Sequence, residues 1–378
     1  MRIAFDASVL QAPRTGVGEY TLQLGQALQQ LPEMELCLFD GLGWPDTFPQ
    51  TPRSGYGRAS RLIKALLPGA YPARRALMQL RFNQGIRRLK PELYHQPTLW
   101  PLEFDGPTVM TLHDLTHVHY PETQPRDRLR EIERRLPASL QRASRILVDS
   151  RFIAEEAIQH YSLPADKLQV APLGAAPRFH PRDEHELQEC LTSFGVGMRS
   201  YYLCVGTLEP RKNLKLAVDA YLGLPKSLRE RMPLVIVGGA GWRQEQLEHI
   251  PARELSSGRI RLLGYKSGEC VAQLLAGAHA LLFPSRYEGF GLPVLEALAS
   301  ATPVIACDHA AVPEVAGDAA LYADAEDTDG YRTQMLRLIE DSELQQRLRQ
   351  GGLERSRQFS WERCARITTD TYKAARYS

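Results

Sequence analysis

The chain has 378 residues, 43% of them hydrophobic and 24% charged, with a formal net charge of +2. That length suits two domains of roughly 150–200 residues, and the composition is globular, which excludes disordered and collagenous classes. No apolar run approaches the roughly 20 residues that span a bilayer, and six scattered cysteines without a CxxC pair argue against a disulfide framework or a zinc site and suit a reducing cytosol.

In chain order, "RIAFDAS" reads as a first strand; Asp6 inside it argues against a signal peptide. A turn carrying Gly16 and Gly18 leads into the helix-like "GEYTLQLGQALQQL". Between Thr51 and Lys90 there are ten Lys or Arg and no acid, interspersed with Leu, Ile, Phe, Met and Tyr. Such a cationic amphipathic stretch suits an anionic membrane surface; a solvated face or arginines paired within the fold are the alternatives. RNA is not expected as a partner, since no recognised module accompanies the charge. "ELYHQP", "TVMTLHD" and "RILVDS" read as further strands, and the Pro- and charge-rich "AAPRFHPRDEHE" as a domain joint. The pattern then restarts with "YYLCVGTL", "PLVIVGGAG", "IRLLGY", "HALLFPS" and "PVIACDH", each but the last followed by a helix. Strands alternating with helices predict two consecutive α/β domains with parallel, doubly wound sheets. Ligands of such sheets bind beyond the carboxyl ends of the strands.

Several of those ends carry candidate chemistry. "VGTLEPRKNL" sets Arg211 and Lys212 just after a strand, where two cations suit a diphosphate, although solvated surface charge explains them as well. "SRYEGFGLPVLEALAS" reads as a glycine turn and a helix N-terminus with Pro293 near its first position, a setting for an anion beside hydroxyl acceptors such as Glu296. A helix that begins with acidic residues needs no ligand and accounts for it too. The histidines of "TLHDLTHVHYPE" lack a metal-ligand spacing; His113 and Asp114 read better as a pair touching substrate. "DTDG" at Asp327–Gly330 reads as a polar loop capping a helix, and "VIVGGAGW" lacks the spacing of a dinucleotide fingerprint.

The order of these motifs resembles the retaining glycosyltransferases of family 4, over nearly the whole chain. Glu288-GFGLPVL-Glu296 matches that family's E-x7-E motif, "GTLEPRKN" its phosphate-binding motif, "VDSRFIAEEA" its serine segment and "FSWERCA" its C-terminal helix start. Thr207 stands where many relatives bear an arginine. The resemblance implies a GT-B fold: two Rossmann-like, doubly wound domains facing a central cleft. Residues 1–178 would form the acceptor-side domain with residues 362–378 packing back on it, and residues 179–361 the donor-binding domain. It implies that Arg211 and Lys212 neutralise the leaving diphosphate, that Glu288 binds the transferred sugar, that Glu296 binds ribose hydroxyls and that His113 lies beside the donor sugar. The backbone of Gly289, Phe290, Gly291 and Leu292 would approach sugar and phosphates, and the Gly16–Gly18 turn would close over the phosphates and border the acceptor site. No metal and no cofactor besides the nucleotide-sugar donor is implied. The likeness is to bacterial O-antigen transferases using GDP-mannose or GDP-rhamnose with a lipid-linked acceptor, cytoplasmic and peripheral on the inner face of the membrane. A nucleotide-sugar epimerase of the same fold, a catalytically idle scaffold, or a family 4 enzyme using a UDP-sugar and a soluble acceptor are the alternatives.

Overall fold

A computed structural model of the chain describes residues 1–12, 14–49, 70–239 and 249–377. The part of the basic stretch from Thr51 to Gly69 lies outside these residues. The chain divides into two compact units, one of Met1–His113, Arg130–Leu173 and Trp361–Ser378, the other of Asp114–Leu129 and Gly174–Ser360.

The first unit holds a six-stranded sheet of β1 (Arg2–Asp6), β2 (Glu35–Phe39), β3 (Leu93–Gln96), β4 (Thr108–Leu112), β5 (Arg145–Val148) and β6 (Leu168–Val170), in the order β2-β1-β3-β4-β5-β6. Every ladder is parallel. β3 and β4 are buried at every position, and their polar His95, Gln96 and Thr111 are hydrogen-bonded there. Phe39, Phe82, Tyr94 and Leu102 form an aromatic-rich core against which Trp44 packs. The C-terminal helix Trp361–Arg376 belongs here: Tyr372 is fully buried and donates or accepts a 2.6 Å bond with His95 Nδ1.

The second unit holds β7 (Tyr202–Val205), β8 (Leu234–Val237), β9 (Ile260–Gly264), β10 (Ala280–Phe283), β11 (Val304–Cys307) and β12 (Ala320–Ala323), also all parallel. Its order is β12-β11-β10-β7-β8-β9. The chain winds from β7 to one edge and then returns to place β10 beside β7. That reversal is a topological switch point, where the loops leaving two neighbouring strands part in opposite directions and leave a crevice. In the first sheet the switch point falls between β1 and β3. Fully buried Leu203, Leu281 and Ile305 anchor the central strands of the second sheet, each contributing about 1.5–3 kcal/mol of hydrophobic stabilisation.

Candidate active site

At the switch point of the second unit, the loops leaving β7 and β10 bring three of the candidates together. After β7 the chain passes Gly206 and makes a short 3-10 turn, Pro210–Lys212. After β10 it runs to Gly291, which caps the helix Leu292–Ala299 at φ +92°, a left-handed conformation that favours glycine. The two exits are neighbours because β10 pairs with β7, and the β8 exit packs against the β7 exit as well: a Cβ on Gly238 would sit 1.8 Å from the Gly206 carbonyl oxygen. A backbone bond from Arg286 N–H to the Arg211 carbonyl, 2.9 Å, ties the two loops to each other.

Glu288 occupies the centre. Arg211 Nη1 donates to its Oε2 at 3.0 Å and Lys212 Nζ to its Oε1 at 2.5 Å. Arg211 is further fixed by the Tyr287 carbonyl at 3.0 Å and by Glu209 at 3.2 Å. All three charged side chains are largely buried. Burial pushes the Glu288 carboxyl up, but Lys212 and Arg211 outweigh it and hold the group down at about 2. For Lys212 the balance differs: burial and the neighbouring Arg211 pull the ammonium below its ordinary value, against the pull of Glu288. Arg211 moves up, burial being overcome by Glu288, Asp114 and Glu209. A carboxylate has about four lone-pair positions, so Glu288 can still accept from hydroxyls while it aligns both cations. A lysine donates three N–H bonds and an arginine five, which leaves both able to take an anion.

The remaining candidates on this loop have distinct settings. Glu296 is buried in the helix Leu292–Ala299. The Phe290 ring points into the core, packed edge-on against Phe359 at 5.8 Å; its backbone, not its side chain, is what a ligand can approach. Tyr287, one residue before Glu288, accepts from Leu115 N–H at 3.0 Å and lies 5.0 Å from the His119 ring. It thereby holds the segment Asp114–Leu129 in this unit.

In the first unit, His113 leaves β4 and Asp149 leaves β5. The register pairs Leu112 with Val148, so the next residues stand side by side, and His113 Nδ1 lies 2.7 Å from Asp149 Oδ2. Its Nε2 lies 3.0 Å from the Pro97 carbonyl, at the exit of β3. Both acceptors are satisfied at once only by a ring protonated at both nitrogens. The Tyr20 ring packs edge-on against the imidazole at 4.6 Å.

Residues 14–178 match Glycosyltransferase Family 4, and residues 195–355 match Glycosyl transferases group 1. The chain is 35% identical to O-antigen chain mannosyltransferase B of Escherichia coli, over 99% of this chain and 100% of that one. The chain is a family 4 glycosyltransferase. Sucrose-phosphate synthase from Thermosynechococcus elongatus superposes on this transferase with a TM-score of 0.73 over 98% of both chains, at 20% identity. Anabaena HepE in complex with UDP-glucose does so with 0.73 over 99% and 100%, at 16%. At those identities the likeness is one of fold. The fold is GT-B, and the transferase is a hexosyltransferase.

Three expectations need correction or refinement. Gly16 and Gly18 form no turn: they are the first and third residues of the helix Gly16–Gln29, which follows Thr15 in extended backbone. The connection from β1 is made instead by Ala7–Thr15, including the 3-10 turn Ser8–Gln11. His113 bonds Asp149, the boundary between the compact units falls between His113 and Asp114, and the Asp114 charge acts on Arg211. Arg75, read as part of a membrane-facing set, donates to the Pro101 carbonyl at 2.7 Å and is partly spent on the fold. Asp327 does cap its helix, accepting from Gly330 N–H at 2.8 Å. Residues overlooked in the sequence are Glu209, Tyr287 and Asp149. The first two neighbour recognised motifs and were legible as such; Asp149 becomes visible only once β4 and β5 are paired.

Proposed function

We propose that the transferase moves mannose from GDP-mannose to a lipid-linked glycan in O-antigen synthesis, with retention at the anomeric carbon. The observation that carries this reading is the convergence of Arg211 and Lys212 on Glu288 at the switch point. In the proposed reaction the two cations balance the diphosphate as it leaves, which is where charge develops. Glu288 and the Gly289–Leu292 backbone hold the transferred sugar, Glu296 takes ribose hydroxyls, and His113 borders the sugar. Mannose is favoured over rhamnose by the full-length likeness to a named mannosyltransferase. A peripheral membrane location is supported by the helix Ala70–Leu89, which exposes Leu77 and Leu80 among Arg74, Arg81, Arg87 and Arg88. No helix among the described residues is long and apolar enough to cross a membrane.

The test is a panel of nucleotide sugars. A donor that binds the native state raises its melting temperature, and GDP-mannose is expected to do so more than UDP-glucose at equal concentration. With a lipid-linked glycan acceptor, NMR of the product is expected to show the donor's α configuration. Stabilisation by UDP-glucose alone, or conversion of the nucleotide sugar without transfer, would overturn the donor assignment or the reaction.

A further inference from the structure

The first unit contains a second charged feature, separate from His113. A cavity of about 430 Å³ opens between the helix Ala70–Leu89 and the helix Arg126–Arg142, floored by Trp100 and Pro101. Its volume is in the range of small-molecule sites. The sequence explains both the opening and its charge. On the second helix Ile132, Leu136 and Leu140 face the core at four-residue spacing. Arg134, Ala138 and Arg142 repeat that spacing on another face and line the cavity. The small Ala138 between two long arginines leaves room that a larger side chain would fill. Across from it, Arg75 and the small Ala76 do the same on the first helix.

Charge in this cavity is unbalanced. Among the described residues, four arginines (75, 134, 135 and 142) line it with one carboxylate, Glu103. Glu131 serves two of the arginines at once, accepting from Arg134 at 2.8 Å and from Arg135 at 2.5 Å. Arg142 has no hydrogen-bond or ion-pair partner among the described residues. The wall is also held in place: Gln79 clamps the Glu103 backbone with two bonds, 2.8 and 2.9 Å, and Arg75 is fixed on Pro101. Arg75 and Arg135 are held by Pro101 and Glu131, while Arg134 and Arg142 are exposed at the rim; guanidinium groups match the paired oxygens of phosphate.

We propose that this cavity is a binding site for a phosphate-bearing group, carried on a lipid or free in solution. If the group is the phosphate linkage of a lipid-borne acceptor, that identity rests on the function proposed above; anion binding itself does not. The experiment titrates inorganic diphosphate into the full chain by calorimetry, in the Lys212→Ala background so that the switch-point cations contribute little. No sugar donor is present, so the outcome is independent of whether transfer occurs. Adding Arg134→Gln and Arg142→Gln is expected to weaken diphosphate binding about tenfold, as two charge-assisted contacts are lost. Glu103→Gln, which removes the opposing carboxylate, is expected to tighten it about threefold; damage to the fold cannot produce a gain. Cosedimentation with vesicles of phosphatidylcholine, with and without phosphatidylglycerol, separates the sources. Arginine-dependent binding to the anionic vesicles that diphosphate displaces assigns a lipid-borne phosphate, and diphosphate binding without it assigns a soluble one. Diphosphate affinity left unchanged by the arginine substitutions, or by Glu103→Gln, overturns the proposal.

Discussion

Each sheet ends at its switch point in a buried carboxylate, and the two are kept in opposite ways. Glu288, beyond β10, is gripped by two cations and stays ionised to about pH 2. Among the described residues Asp6, at the end of β1, meets neutral donors: Ser8 N–H at 2.9 Å, Tyr94 O–H at 3.1 Å and Gln96 Nε2 at 3.2 Å. Burial pushes Asp6 up, and those hydrogen bonds only partly restrain it. At Asp6 the donors do not outweigh desolvation, whereas at Glu288 two opposite charges do. Glu288 therefore belongs to electrostatic machinery. Asp6 belongs to a scaffold that orders the loop after β3, where Tyr94 also accepts from Leu102 N–H and Gln96 also donates to the Trp100 carbonyl. The same loop supplies the Pro97 carbonyl that holds His113.

The contrast breaks most sharply at Glu288. Replacing it with Gln strands two buried cations, and the expected loss of stability at pH 7 is about 3 kcal/mol, measured by urea unfolding. The carboxyl is depressed in the folded state, so its stabilisation is fully present above the ordinary value of 4.5 and lost as pH falls toward about 2. The gap between wild type and Glu288→Gln should close across that window. Asp6, being raised, has the opposite sign and gives up stability as pH climbs through and above 3.8. A gap that stays constant between pH 5 and pH 2 would show that the cations do not hold Glu288 ionised.

Second in size is Lys212→Ala, for which turnover is expected to fall about 100-fold with the fold intact by circular dichroism, the scale of losing one group that stabilises developing charge. Activity near wild type would remove Lys212 from the leaving-group role. Smaller again is Asp149→Asn in the first unit. It leaves the shape at His113 but removes the charge of a charge-assisted bond, and turnover is expected to fall about tenfold, equivalent to roughly 1.4 kcal/mol. Unchanged turnover would make the pair a structural contact between the exits of β4 and β5.

The two sites also differ in how far the sequence disclosed them. Arg211, Lys212, Glu288 and Glu296 sit in short motifs whose local signals, a glycine turn and a proline at a helix start, survive without knowledge of the fold. Their meeting follows from strand order, since β7 and β10 must be neighbours. His113 and Asp149 are 36 residues apart and meet only through the β4–β5 register, which alternation alone does not supply. The assignment of Asp114–Leu129 to the second unit was equally hidden, because it depends on the bond between Leu115 and Tyr287. The Gly16–Gly18 turn was misread for the reverse reason: glycine is a strong local signal for a turn, but here the helix simply starts at Gly16.

That correction gives the smallest prediction. Gly16 has helical backbone at the start of Gly16–Gln29, and a Cβ added there meets nothing within 4 Å. Nothing in the free chain therefore requires glycine, and Gly16→Ala should raise stability by about 0.5 kcal/mol by lowering the entropy lost on folding. If the helix start also borders the donor phosphates, as the family resemblance implies, the open space around Gly16 is ligand space and a methyl group will intrude on it. The expected result is a higher melting temperature together with a raised KM for the nucleotide sugar and little change in kcat. A variant that is more stable and binds donor as before would make Gly16 a helix start and nothing more. The phosphate-binding role would then rest on Arg211, Lys212 and the Gly289–Leu292 backbone of the second unit.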